Sequence, residues 1–261
     1  MAYQGYSFIW DGTPSSVYGL KICSWNSTPT DYNGGSGMEL IEDQAPRSLK
    51  KYLLGAFPSK PLEFEMAIYS EEPMPDYKTQ MIKKWLFGYP DKYRKLFIIK
   101  EGLSDVFYEC YLNDPQDKII NGNNGWTFTV HCNAGGAWEN ERTQRYTPTD
   151  GGTITFNNTS GSNDYMYPTV KFKMSAAGGF SIENSSDNDR TMAFTDLSAN
   201  EIITVNGETG VVESSNPAAH RFGNFNKKYL RLVSGVNSLV CTGSVAYVEI
   251  IYSNFRRLGG G

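Results

Sequence analysis

Only two histidines, His131 and His220, and four cysteines, Cys23, Cys110, Cys132 and Cys241, occur among the 261 residues. Neither histidine stands in a His-Glu-x-x-His context and no two cysteines form a Cys-x-x-Cys pair, so no zinc-site spacing is present. There is no Gly-x-Ser-x-Gly turn for a serine nucleophile and no glycine loop ending in Lys-Ser or Lys-Thr for a phosphate. No run approaches the ~20 apolar residues of a membrane helix. The opening residues carry no basic leader followed by an apolar core, so no secretory signal is expected. A formal net charge of -4 argues against binding nucleic acid through an overall basic field. Scattered thiols without a pairing pattern read as free buried groups of a protein made in a reducing cytoplasm.

What the chain does have is aromatics, at 14%, and 26 glycines, a composition of short strands and tight turns. Its length suits one large β domain or two ordinary ones. Leu62, Phe64, Met66 and Ile68 alternate with polar neighbours at the two-residue period of a half-buried strand. One helix is expected next, with Tyr77, Met81, Ile82, Trp85, Leu86 and Tyr89 on its apolar stripe. Asp76 is its expected N-cap, Gly88 its left-handed exit and Pro90 its stop. Further on, Trp126, Phe128, Val130 and Cys132 share one strand face, with Thr127, Thr129 and His131 on the other. A polar stretch over residues 140–153 reads as a boundary, and all five tryptophans precede it. Beyond it about nine short strands follow, including Lys228–Val233 and a hairpin turning on Asn206, Gly207 and Gly210. The pattern is mainly β: residues 1–145 as a β-rich domain with one α-helix, then residues 146–261 as a β-sandwich.

Residues that could carry chemistry are few. His131 alternates with threonines, as a solvent-facing side chain would. His220 lies in a turn-rich segment. The glycine-rich run from Tyr32 to Met38 reads as a loop. Glu39, Glu42 and Asp43 cluster, and Asp187 with Asp189 suggests at most a weak calcium site. No catalytic, cofactor or metal residues are assigned, and the chain is read as a non-enzyme. A carbohydrate-binding sandwich is the alternative, with Tyr165, Tyr167, Phe222 and Phe225 as candidate sugar platforms.

The opening, from Tyr6 to Ile22, resembles the first strands of the distal tail proteins of long-tailed phages with non-contractile tails, through Phe8, Gly12, Ser16, Tyr18, Gly19 and Leu20. The helix ending in Lys83-Lys84-Trp85-Leu86-Phe87-Gly88-Tyr89, followed by Tyr93 to Ile98, is similar to the helix–strand unit of that family's ring-forming domain. In the second half, Phe194 to Asn216 and then Leu232, Gly235 and Asn237 follow the family's order of strand, Gly-x-Asn and strand. The early loop departs from it, with no Gly-Arg-x-Gly turn between Tyr32 and Tyr52.

The resemblance implies a virion protein of the tail tip, synthesised in the host cytoplasm. It implies a homo-oligomeric ring, typically hexameric, that joins the tail tube protein to the tail-tip hub protein. The second domain would then be galectin-like and in some relatives carries a receptor-binding protein. Neither a membrane nor a specific nucleic-acid sequence is an expected partner. Two features of the first domain suit subunit contacts: strand edges able to pair with a neighbour, and an apolar patch formed by Met38, Leu40 and Ile41.

Overall fold

The computed structural model describes residues 6–23, 38–47, 49–58, 61–88, 91–120 and 123–257. The chain divides into two compact units, Met1–Glu139 with Arg256–Gly261, and Asn140–Phe255.

In the first unit the strands are β1 (Ser7–Trp10), β2 (Thr13–Pro14), β3 (Leu20–Cys23), β4 (Met38–Asp43), β5 (Tyr52–Pro58) and β6 (Glu63–Ser70). Helix α1 (Asp76–Phe87) follows, then β7 (Arg94–Ile99), β8 (Val106–Ile120), β9 (Asn123–Cys132) and β10 (Ala137–Glu139). The main sheet runs β2-β1-β7-β8-β9-β6-β3. It curls until β3 meets the residue before β1, where Ile22 N–H donates to Tyr6 O at 2.8 Å. This single bridge ties the start of β1 to β3, while β2 and β3 remain the ends of the sheet order. The alternation seen in the sequence sets the interior: Met66, Ile68, Trp126, Phe128, Val130 and Cys132 are all buried together.

Helix α1 rests on this core through Ile82 and Leu86, one turn apart, while Trp85 packs its ring on Tyr18 at 4.7 Å. Tyr77 and Met81, expected on the buried stripe, are exposed, because they lie roughly 100° or more around the helix from Ile82. The caps differ from expectation as well. Pro75 occupies the N-cap, Asp76 is the first helical residue, and no side chain caps the end. Gly88 is extended rather than left-handed. A glycine is needed there because a Cβ would sit 2.5 Å from Lys84 O. Tyr89 and Pro90 lie outside the described residues.

The second unit is a sandwich. One sheet is ordered β11 (Arg142–Tyr146), β19 (Val245–Tyr252), β13 (Thr169–Met174), β16 (Ile202–Asn206) and β17 (Val212–Ser214). The other is β12 (Gly152–Asn158), β18 (Gly235–Thr242), β14 (Gly178–Asn184) and β15 (Arg190–Leu197). Inward residues alternate on both: Phe156, Ile182, Phe194 and Leu239 from one, Val170, Phe172, Ile203 and Ile250 from the other, all within one core. The second unit begins earlier than residue 146 because Arg142–Tyr146, read from sequence as part of a polar boundary, pair in register with β19 from Tyr252 back to Val248. An exposed edge strand need not alternate, so its pattern was that of a linker. In the turn after β18, Gly243 has φ +112° and a Cβ there would lie 2.3 Å from Gly179 O, which excludes any side chain. Within the first unit, Arg256 pairs with Asp105 at 2.8 Å and with Glu139 at 3.0 Å.

Lys228–Val233 is not a strand of either sheet. Leu230 and Leu232 are buried, yet the segment makes only one bridge, Met166 to Leu232. Buried asparagines replace the ladder. Asn184 Nδ2 donates to Arg231 O at 2.9 Å, and Asn158 Nδ2 to Val233 O at 3.1 Å. Asn237 bonds both backbone groups of Val233 at 2.9 Å and accepts from Asn184 at 2.9 Å. The Gly-x-Asn string of the sequence is thus a backbone clamp, satisfying polar groups that burial would otherwise leave unpaired.

Candidate interaction surfaces

The ribbon β4–β5 stands apart from the main sheet as a two-stranded antiparallel pair. Leu40 faces Ala56 and Ile41 faces Gly55 in its register. Leu40 and Ile41 are 54% and 49% exposed, and Tyr52, Leu53 and Leu54 are more exposed still. Met38 opens β4 opposite Pro58; its side chain and the run from Tyr32 to Gly37 lie outside the described residues. Of the acids that cluster here, Glu42 pairs with Lys51 at 2.9 Å. An isolated hairpin is marginal in water, and this one exposes apolar side chains from both strands.

On the sandwich, Tyr165 and Tyr167 flank the bridged residue Met166 and are both exposed, at 44% and 36%. The Arg231 guanidinium lies 3.8 Å from the Tyr165 ring centre. Below it, Asp187 accepts from Arg231 Nε and Nη2. Asp187 is therefore a buried anchor, and the calcium reading of Asp187 with Asp189 fails because both its carboxylate oxygens are engaged. Among the described residues no three His, Cys, Asp or Glu side chains gather as a metal set.

Two of the proposed platform residues part company. Phe222 is 48% exposed, beside the Lys227 ammonium at 5.2 Å. Phe225 is 4% exposed and stacked on Phe194 at 4.6 Å, so it is core and cannot meet a ligand. Tyr229 packs edge-on against it at 5.1 Å, and the stacking on Phe194 of β15 is a contact that spacing along the chain does not reveal.

Close to Phe222, Glu201 is buried and accepts from Arg221 Nε and Nη2, both at 2.7 Å, from Ser214 Oγ at 2.6 Å and from Ser198 N–H at 2.8 Å. Burial alone would raise its carboxyl, but these donors together outweigh it and hold the pKa down at about 2. Sequence reading did not single out Arg231, Glu201 or Arg221. Asp187 and Arg231 are 44 residues apart and meet only through the clamp on Lys228–Val233.

The histidines remain separate. His131 is not fully solvent-facing: it stacks on Tyr111 at 4.9 Å and its Nδ1 lies 2.7 Å from Glu63 Oε1. His220 is exposed and precedes the short 3-10 turn Arg221–Asn224. No described helix is long and apolar enough to cross a membrane, a statement that leaves membrane-crossing strands aside.

Both units are mainly β and carry exposed apolar side chains. Residues 3–134 match the model of a phage tail protein N-terminal domain, and residues 137–252 match that of a phage tail C-terminal domain. The chain belongs to this phage tail protein family. Its fold is similar to the crystal structure of the SPP1 Dit (gp 19.1) protein, described as a paradigm of the hub adsorption apparatus in phages infecting Gram-positive bacteria. The match has a TM-score of 0.67 and 11% identity, covering 95% of this chain and 98% of that one. No curated protein sequence matches the chain.

Proposed function

We propose that this protein is the distal tail adaptor of a long-tailed phage, a ring that joins the tail tube to the tail-tip hub. The observation that carries the reading is co-linearity. Two phage-tail domains follow one another along the chain, and the fold parallels that of a hub adsorption protein over nearly the full length of both. The role is structural, with neither cofactor nor catalysis, and its place is the tip of the virion tail after synthesis in the host cytoplasm.

The first unit supplies the ring contacts. Head-to-tail contacts that close by rotation leave a central channel, as a hexameric adaptor requires. The ribbon β4–β5, paired with no other strand and exposing Leu40, Ile41, Tyr52, Leu53 and Leu54, is the element best suited to a partner surface. It lies across the adjacent copy and buries Leu40 and Ile41 there, with Met38 beside them. The tail tube protein, the hub protein and, on some particles, a receptor-binding protein complete the neighbours. Negative-stain images of the purified protein should show rings with a central hole. A protein that stays monomeric at high concentration, and also when mixed with purified tube and hub proteins, would remove this reading.

A further inference from the structure

The sandwich's five-stranded sheet ends beside an open cleft. Its last strand, β17, pairs on one side only, with β16. The register determines which backbone groups face that partner. Asn206 N–H donates to Val211 O and Ser215 N–H to Ile202 O, both at 2.9 Å. In an antiparallel ladder hydrogen-bonded pairs alternate with non-bonded ones, so Glu213 faces Thr204 while the N–H and C=O groups of Val212 and Ser214 point outward. Among the described residues no backbone group of the chain pairs with them.

Those outward groups open on a cleft of about 420 Å3, within the range of about 300–1,000 Å3 common to ligand clefts. Val212, Glu213 and Ser214 line one side, and the returning chain from Asn216 to Phe222 lines the other. The return is tied by its own bonds. Asn216 N–H donates to Ser214 Oγ at 2.9 Å, Asn216 Oδ1 accepts from Ala218 N–H at 3.2 Å, and Arg221 is locked on Glu201. The gap is thereby held open beside a three-residue strand edge.

We infer that this cleft receives an extended peptide segment of another polypeptide, added to β17 as a further strand. Its four outward backbone groups recur two residues apart, a spacing of roughly 6.6 Å, which is the repeat of an extended chain. A sugar ring has no donor–acceptor repeat of that kind. Charge selects the side chains. Arg221 is neutralised by Glu201, whereas Glu213 is exposed and makes no ion pair among the described residues. A basic side chain of the added strand would meet Glu213, and an apolar one the Phe222 ring. The partner is thus an extended segment alternating basic and apolar residues.

The full-length protein provides the test, with a dye-labelled, end-capped heptapeptide of alternating Val and Lys as probe. Fluorescence anisotropy should show saturable binding that weakens by about tenfold in Val212→Pro, which removes one outward donor without breaking a ladder bond. A version of the peptide N-methylated at alternate residues keeps its charge and side chains and should bind as weakly. Hydrogen exchange resolved to single amides should find Val212 and Ser214 fast in the free protein, with Glu213 and Ser215 slow, and the first two slowed by the peptide. Equal binding of the N-methylated peptide would mean charge attraction alone and would overturn the proposal. So would saturation that Val212→Pro leaves unchanged, an absence of binding, or Val212 and Ser214 amides already protected in the free protein.

Discussion

Arg231 grips Asp187 through two parallel hydrogen bonds, Nε to Oδ2 at 2.6 Å and Nη2 to Oδ1 at 3.0 Å. The Asp187 side chain is 1% exposed, whereas that of Arg231 keeps 24%. Removing the cation leaves a buried carboxylate without its partner, which costs about 3–5 kcal/mol. Arg231→Ala should lower the urea midpoint accordingly, and Arg231→Lys should recover only part of it, since an ammonium cannot form the two-pronged contact. An Arg231→Ala midpoint equal to wild type would show that this pair is not structural.

The second buried carboxylate gives a pH signature. The Glu201 pKa falls to about 2 in the folded protein from an ordinary 4.5. A depressed folded pKa means stability that is complete above the unfolded value and lost as pH drops from about 4.5 toward 2. The loss is on the order of 3 kcal/mol over that window. Glu201→Gln should be less stable at neutral pH, and its stability should fall less steeply over the same acid range. Parallel curves for the two proteins would assign the acid sensitivity elsewhere.

All four thiols are free and buried. Burial pushes the Cys23 thiol up to about 11 and that of Cys241 to about 12, and raises Cys110 well above its usual range, with the hydrogen bond to Cys132 adding to the rise. Because the thiolate is the reactive form, native protein should react with a thiol reagent more than about a hundredfold slower than a free cysteine. Mass spectrometry after unfolding in alkylating reagent should then count four additions. Cys110 and Cys132 face each other across β8 and β9, so a stable disulfide, if one formed, would show there as two missing additions.

The ribbon makes the ring reading testable by substitution. Leu40→Asp combined with Ile41→Asp places two charges on exposed positions, where folding should tolerate them. In a subunit contact the same charges would be buried unpaired, at a cost of several kcal/mol, on the order of 3–5. The double variant should keep its circular dichroism while losing assembly by light scattering at high concentration. Rings that persist in it would exclude β4–β5 as the contact.

Much of this architecture was legible in the residues themselves. Alternation at the period of two placed the strands around Met66, Phe128, Phe172 and Ile250, because a side chain's face in a strand is set by local geometry. The mainly β class, the single helix and the phage-tail resemblance could likewise be read in chain order. What only the tertiary structure decided is how distant segments satisfy one another's polar groups. Lys228–Val233 has a strand's composition, but buried Asn184 and Asn237 bond its backbone in place of a ladder. Arg142–Tyr146 has a linker's composition and is a strand because β19 supplies its hydrogen bonds. Phe225 and Phe222, three residues apart, diverge into core and surface because only one lies against Phe194. Local sequence sets which face a side chain takes, whereas burial and hydrogen bonding belong to neighbours that the chain brings in from far away.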